Sequence, residues 1–83
     1  MHVRLKLFAL LRDRAGASDF ALDLPRGTTA GGALDYVAKQ FPSIANLLPK
    51  AAIAVNLDYA QADRPLSEGD ELALIPPVSG GAW

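Results

Sequence analysis

Cysteine is missing from this sequence of 83 residues, which excludes disulfides, a thiolate nucleophile and any thiolate metal site. Histidine occurs once, as His2, with no second ligand of similar type near it in the chain, so it is assigned no role. An excess of one charge is missing too. The formal net charge is -1 and acids and bases are interspersed, so the basic footprint of a nucleic-acid binder is not there. Apolar runs are far too short to span a bilayer. The opening stretch, Met1 to Leu7, is broken by Arg4 and Lys6 and no cleavage site follows, so it reads as a strand rather than a signal peptide. No Ser-His-Asp set, metal cluster or catalytic carboxylate pair can be assembled from the residues present. The expectation is a cytoplasmic protein that is not an enzyme on its own, binds no cofactor or metal, and has proteins rather than nucleic acid or membrane as partners.

What is present is an apolar majority, 51% hydrophobic against 20% charged residues, which is the balance of one small folded domain. Val3, Leu5, Leu7, Ala9 and Leu11 alternate with Arg4, Lys6 and Phe8, so the period of two predicts a first strand running to Leu11. Leu11 to Gly16 predicts a single helical turn closed by a left-handed glycine. Phe20, Leu22 and Leu24 then point one way along a second strand, and Pro25-Arg26-Gly27 turns the chain. Thr28 or Thr29 caps the one long helix, with Leu34, Val37, Ala38 and Phe41 at helical spacing until Pro42 stops it. Gly31 and Gly32 in its first turn weaken that end unless it is packed closely; phosphate binding by this pair is disfavoured because no strand leads into it. Ser43 to Leu48 suggests a short helical turn ended by Pro49. Ala51 to Asn56 has the composition of a buried strand, Tyr59 falls in a loop or short edge strand, and Arg64 to Asp70 is a run of turn residues.

The last strand, Asp70 to Ile75, is apolar on both faces and must stop pairing at Pro76-Pro77, which offer no backbone donors. Beyond the prolines and Val78, the residues Ser79, Gly80 and Gly81 have little bulk, so they form a tail able to enter a narrow tunnel. The expected architecture is α+β, a mixed sheet of four to five strands with one main helix on one face. A domain over residues 1–78 is followed by a flexible tail over 79–83. By fold analogy, such strands commonly set the first beside the last in the centre, as in the β-grasp or ubiquitin-like arrangement. Phe8 and Ile75 would then lie side by side on the face turned away from the helix, an exposed apolar patch of the kind that marks protein interfaces.

Three segments carry a family resemblance: Leu7 to Gly16, the pair Val55-Asn56, and Pro65 through Gly81 with its Gly-Asp-Glu strand, Pro-Pro-Val and terminal Gly-Gly. Together they make the chain similar, over its whole length, to the small subunits of molybdopterin synthase, ubiquitin-like sulfur carriers. The resemblance implies that the carboxyl group of Gly81 is adenylated by an activating enzyme that uses ATP and is then converted to a thiocarboxylate. It also implies a large synthase subunit that receives the tail and uses its sulfur to build the dithiolene of molybdopterin on cyclic pyranopterin monophosphate. Positions matching Phe8, Tyr59 and Ile75 pack on that large subunit in the family; Pro76, Pro77 and Val78 extend the contact, and Arg12 is a candidate for an acidic partner surface. Related carriers serve thiamine, cysteine or tRNA thiolation, a ubiquitin-like modifier would use the same glycine on a lysine, and a pure binding module would not use it at all.

This sequence departs from the pattern in one respect. Ala82 and Trp83 come after Gly81, whose carbonyl is therefore an amide where adenylation needs a carboxylate. The expectation is a precursor that a processing protease trims after Gly81.

Overall fold

The alternation that starts at Val3 becomes β1, His2–Leu7, with Val3, Leu5 and Leu7 almost fully buried and Arg4 outside. The computed structural model describes residues 1–77; Val78, Ser79, Gly80, Gly81, Ala82 and Trp83, and with them the expected tail and its boundary, lie outside the described residues. Strand β1 stops at Leu7 rather than at Leu11. On one side its last rung is the Leu7 amide to the Ser18 carbonyl at 2.8 Å, and on the other its neighbour runs into Pro76-Pro77, which have no N–H to extend a ladder. The chain therefore turns at Ala9 and forms helix α1, Ala9–Ala15, longer than the single turn expected. Leu11 is still buried, but from a helix, so its place in the alternation is coincidental. Gly16 closes α1 at φ 90, donating its amide to the Arg12 carbonyl, as its position predicts.

Strand β2, Asp19–Asp23, returns antiparallel to β1, and Leu22 and Leu24 are buried. Helix α2, Ala30–Gln40, starts at Thr29, whose hydroxyl accepts from the Gly32 amide at 3.2 Å, and ends at Phe41 before Pro42. The close packing that Gly31 requires is supplied by the loop before β5. The Gly31 amide donates to the Ala62 carbonyl at 2.8 Å, and a Cβ on Gly31 would stand 3.0 Å from the Ala62 Cβ. Since Ala30, Gly31 and Gly32 donate to Arg64, Ala62 and Thr29, the amides that could have held a phosphate are occupied.

Two short 3-10 turns, Pro42–Ile44 and Leu48–Lys50, come after α2. Pro49 lies inside the second instead of ending a turn, because an early position in such a turn does not need its N–H. The remaining strands are β3, Ala52–Val55, β4, Asp58–Ala60, and β5, Glu71–Ile75. Strand order is β2-β1-β5-β3-β4, with β1 and β5 parallel at the centre and the other pairs antiparallel. This is the expected α+β arrangement, and its core lies on one face: Leu5, Leu7, Leu72 and Leu74 form one cluster with Ala30, Ala33 and Val37 of α2 and with Leu11 and Ile44. Among the described residues no polar or charged residue is buried. One external clip joins the start of β1 to the turn before β5. Glu68 accepts from the His2 amide at 2.8 Å and contacts its ring at 3.1 Å, and these bonds lower its pKa below the ordinary carboxylate value.

Candidate functional site

Among the described residues, the other face of the sheet has no helix over it. Side chains alternate along a strand, so with Leu72 and Leu74 turned to the core, Ala73 and Ile75 face outward. Register Leu7 with Leu74 carries the next residues, Phe8 and Ile75, to neighbouring places at the end of the central pair. Phe8 keeps extended backbone, φ -121 and ψ 155, and is 44% exposed, although it caps α1 instead of continuing β1. The expected pairing of Phe8 with Ile75 thus holds, while the strand meant to carry Phe8 has already ended.

Tyr59 enters from the far edge. It is 79% exposed on β4 and lies opposite Ala54, which lies opposite Ala73. Ala52 stands beside Ile75 in the same way. Between Phe8 and Ile75 at one side and Tyr59 at the other, the outward positions are therefore Ala52, Ala54 and Ala73, whose methyl groups form a shallow apolar floor. Ala54 and Ala73 are buried even with no helix above them. The charged border is on the β1 side, where the Lys6 ammonium lies 3.7 Å from Glu71 and 3.9 Å from Asp19. Exposed pairs of this kind add little stability, so the face is apolar in the middle and close to neutral at its border.

Of the other expected site residues, half-buried Pro76 and exposed Pro77 leave the sheet directly after Ile75. Arg12 lies one helical turn past Phe8, exposed, with its guanidinium 3.4 Å from Asp13; it flanks the face without belonging to the floor. Gly81, Gly80, Ser79 and Val78 are outside the described residues. Sequence reasoning missed the alanine floor and also Leu57, which is 86% exposed at the β3–β4 turn. Pairing register makes the floor visible, and an Asn-Leu where a tight hairpin favours Asn-Gly was the available signal for Leu57.

A parallel central pair with one main helix behind it and an open face in front is the architecture of the ubiquitin-like β-grasp proteins. The crystal structure of SAMP1 from Haloferax volcanii superposes with a TM-score of 0.86 at 31% identity, covering 98% of this chain and 100% of that one. A complex of subunits 1 and 2 of the molybdopterin-converting factor from Helicobacter pylori 26695 contains a similar fold, TM-score 0.69 at 24% identity, covering 98% and 100%. In sequence, the molybdopterin synthase sulfur carrier subunit of Arabidopsis thaliana is 35% identical over 81 residues, 98% of this chain and 84% of the relative. Residues 5–81 match the ThiS family, and the chain belongs to that family. Among the described residues no helix is long and apolar enough to cross a membrane.

Proposed function

We propose that this chain is the sulfur-carrying small subunit of a molybdopterin synthase. The supporting observation is the place where β5 leaves the sheet. Pro76-Pro77 come directly after Ile75, beside Phe8, so a partner that grips the apolar face stands at the root of the segment leading to Gly80-Gly81. A large synthase subunit seated on Phe8, Ile75 and Tyr59 can then receive Gly81 in its own active site. Pro76 and Pro77 keep the exit from being drawn into a ladder, and Ser79 and Gly80 present no bulky side chain along the way. The 35% identity to a carrier that is by name a synthase subunit favours this partner.

In this reading, a protease first removes Ala82 and Trp83. An activating enzyme joins the freed carboxylate of Gly81 to AMP from ATP, with loss of pyrophosphate, and a sulfur donor displaces AMP to leave the thiocarboxylate. The large subunit transfers that sulfur to cyclic pyranopterin monophosphate. The chain itself binds no cofactor, performs no catalysis and works in the cytoplasm. A second reading, attachment of Gly81 to a target lysine, is favoured by the 31% identity to SAMP1, a small archaeal modifier protein.

Intact mass of the protein isolated from its own cells, without reducing or acidic treatment, separates these readings. The expected species stops at Gly81 with one oxygen replaced by sulfur. Retention of Ala82 and Trp83 in the presence of activating enzyme, ATP and a sulfur donor overturns the carrier reading, and a ladder of higher-mass conjugates replaces it with the modifier.

A further inference from the structure

Among the described residues, three other than glycine have left-handed backbone: Ala9 at φ 50, Asn56 at φ 51 and Leu57 at φ 73. They adjoin the two exposed aromatic side chains of the open face, since Ala9 is next to Phe8 and Leu57 lies two residues before Tyr59. Strain of this kind persists only where the surroundings impose it, and it gathers at functional positions. Asn56 has local reasons for its conformation. Asparagine tolerates left-handed backbone, and here its amide side chain donates to Asp70 at 2.9 Å and accepts from the Glu71 amide at 3.0 Å. The Asn56 amide also donates to the Glu71 carbonyl at 2.9 Å, which pins the turn to the start of β5.

Leu57 has no such reason. Val55 pairs with Asp58, so Asn56 and Leu57 form a two-residue hairpin loop with both residues left-handed, where glycine is the favoured second residue. Its side chain is 86% exposed and is not part of the core cluster. The folded subunit would therefore be no less stable with glycine, yet a large apolar side chain stands in solvent at this left-handed position.

We infer that Leu57 is an apolar anchor for the large synthase subunit, extending the docking face from the exit of the tail to the opposite end of the sheet; this rests on the function proposed above. Glu71, to which the turn is pinned, is four residues before Ile75, roughly 13 Å along the strand. A stable interface covers about 800 Å² on each partner, so a partner holding both the tail exit and Tyr59 has area to extend to Leu57, two residues before Tyr59. Strand β4 is the edge of the sheet there, and Leu57 is the exposed apolar residue at its start. What it fits is a hydrophobic pocket with a polar or basic rim in that subunit, since exposed Asp58, the next residue, has no ion-pair partner among the described residues.

Leu57→Gly and Leu57→Asn in the full chain test this, by thermal melting and by calorimetric titration of the cognate large subunit, with Phe8→Asp as reference. The melting temperature of Leu57→Gly is expected to be unchanged or to rise by up to about 4 °C, while Kd for the large subunit rises about tenfold in both variants. Kd within about twofold of the parent, with Phe8→Asp still weakening the complex, overturns the inference and leaves the function standing. An undiminished affinity of Phe8→Asp removes the docking face itself and the inference with it. A lower melting temperature of Leu57→Gly assigns the leucine to the fold and also overturns the inference. So does weakening confined to the activating enzyme or to self-association.

Discussion

The two faces of this sheet are cut from the same strands and differ in what a side chain there does. On the covered face, Leu5, Leu7, Leu72 and Leu74 are at most 1% exposed and lock the sheet to α2. On the open face, residues one step along the chain are Lys6, Phe8, Ala73 and Ile75, of which only Ala73 is buried. The covered face is a continuous cluster of buried aliphatic side chains, leucine foremost, shared with the helices. The open face is an alanine floor between a few large side chains, a surface whose relief suits a second molecule better than the fold itself. The difference teaches that β5, apolar on both sides, serves stability with one side and recognition with the other.

The contrast breaks first under Leu72→Ala. Emptying a fully buried site costs about 2–5 kcal/mol, and in a domain of this size the melting temperature should fall by about 10 °C or more. Retention of the parent melting curve would mean that the covered face is not the source of stability. Phe8→Asp probes the other side. At 44% exposure the substitution leaves the melting temperature within about 4 °C, while the loss of a central apolar anchor weakens binding of the large subunit by about 2 kcal/mol or more. If the fold is lost with the binding, Phe8 belongs to the structural side of the comparison.

A finer test sits at the start of α2, where two adjacent glycines have opposite surroundings. Gly31→Ala drives a methyl into Ala62, at 3.0 Å from its Cβ and 3.1 Å from its carbonyl oxygen, and should destabilise by about 1 kcal/mol. Gly32→Ala meets a single side-chain methyl, that of Thr28 at 3.2 Å, and no backbone beyond its own helix within 4 Å, so the helical preference for alanine should outweigh the contact and gain up to about 1 kcal/mol. Chemical denaturation resolves the two; shifts of the same sign would show that helix propensity, not contact with the Ala62 loop, governs this end.

Much of this was legible in the residues. Period-two runs located β1 and β2, the Thr28-Thr29 pair and Pro42 bracketed α2, Gly16 closed α1, and Pro76-Pro77 ended β5, each through a constraint that acts within a few residues. The run through Ala9 and Leu11 misled because a period of two says which side chains are buried and not which element buries them. Leu11 satisfies the pattern from a helix, and the end of β1 was decided by where β2 and β5 can still offer hydrogen-bond partners. Pro49 misled for a related reason, since a proline near the start of a turn is as acceptable as one after its end.

By itself, then, the sequence determined the local elements, the apolar character of both sides of β5, and the Gly80-Gly81 segment on which the proposed chemistry depends. Those are consequences of backbone sterics and side-chain volume. The tertiary structure alone decided that Phe8 reaches its place beside Ile75 from the start of α1 rather than from β1, that Ala52, Ala54 and Ala73 make one floor reaching Tyr59, and that Asn56 is tied to Asp70 and Glu71 so that Leu57 is held left-handed in solvent. These depend on strand order and register, which are set by hydrogen bonds between residues far apart in the chain and by which face α2 covers. No window of sequence contains both partners.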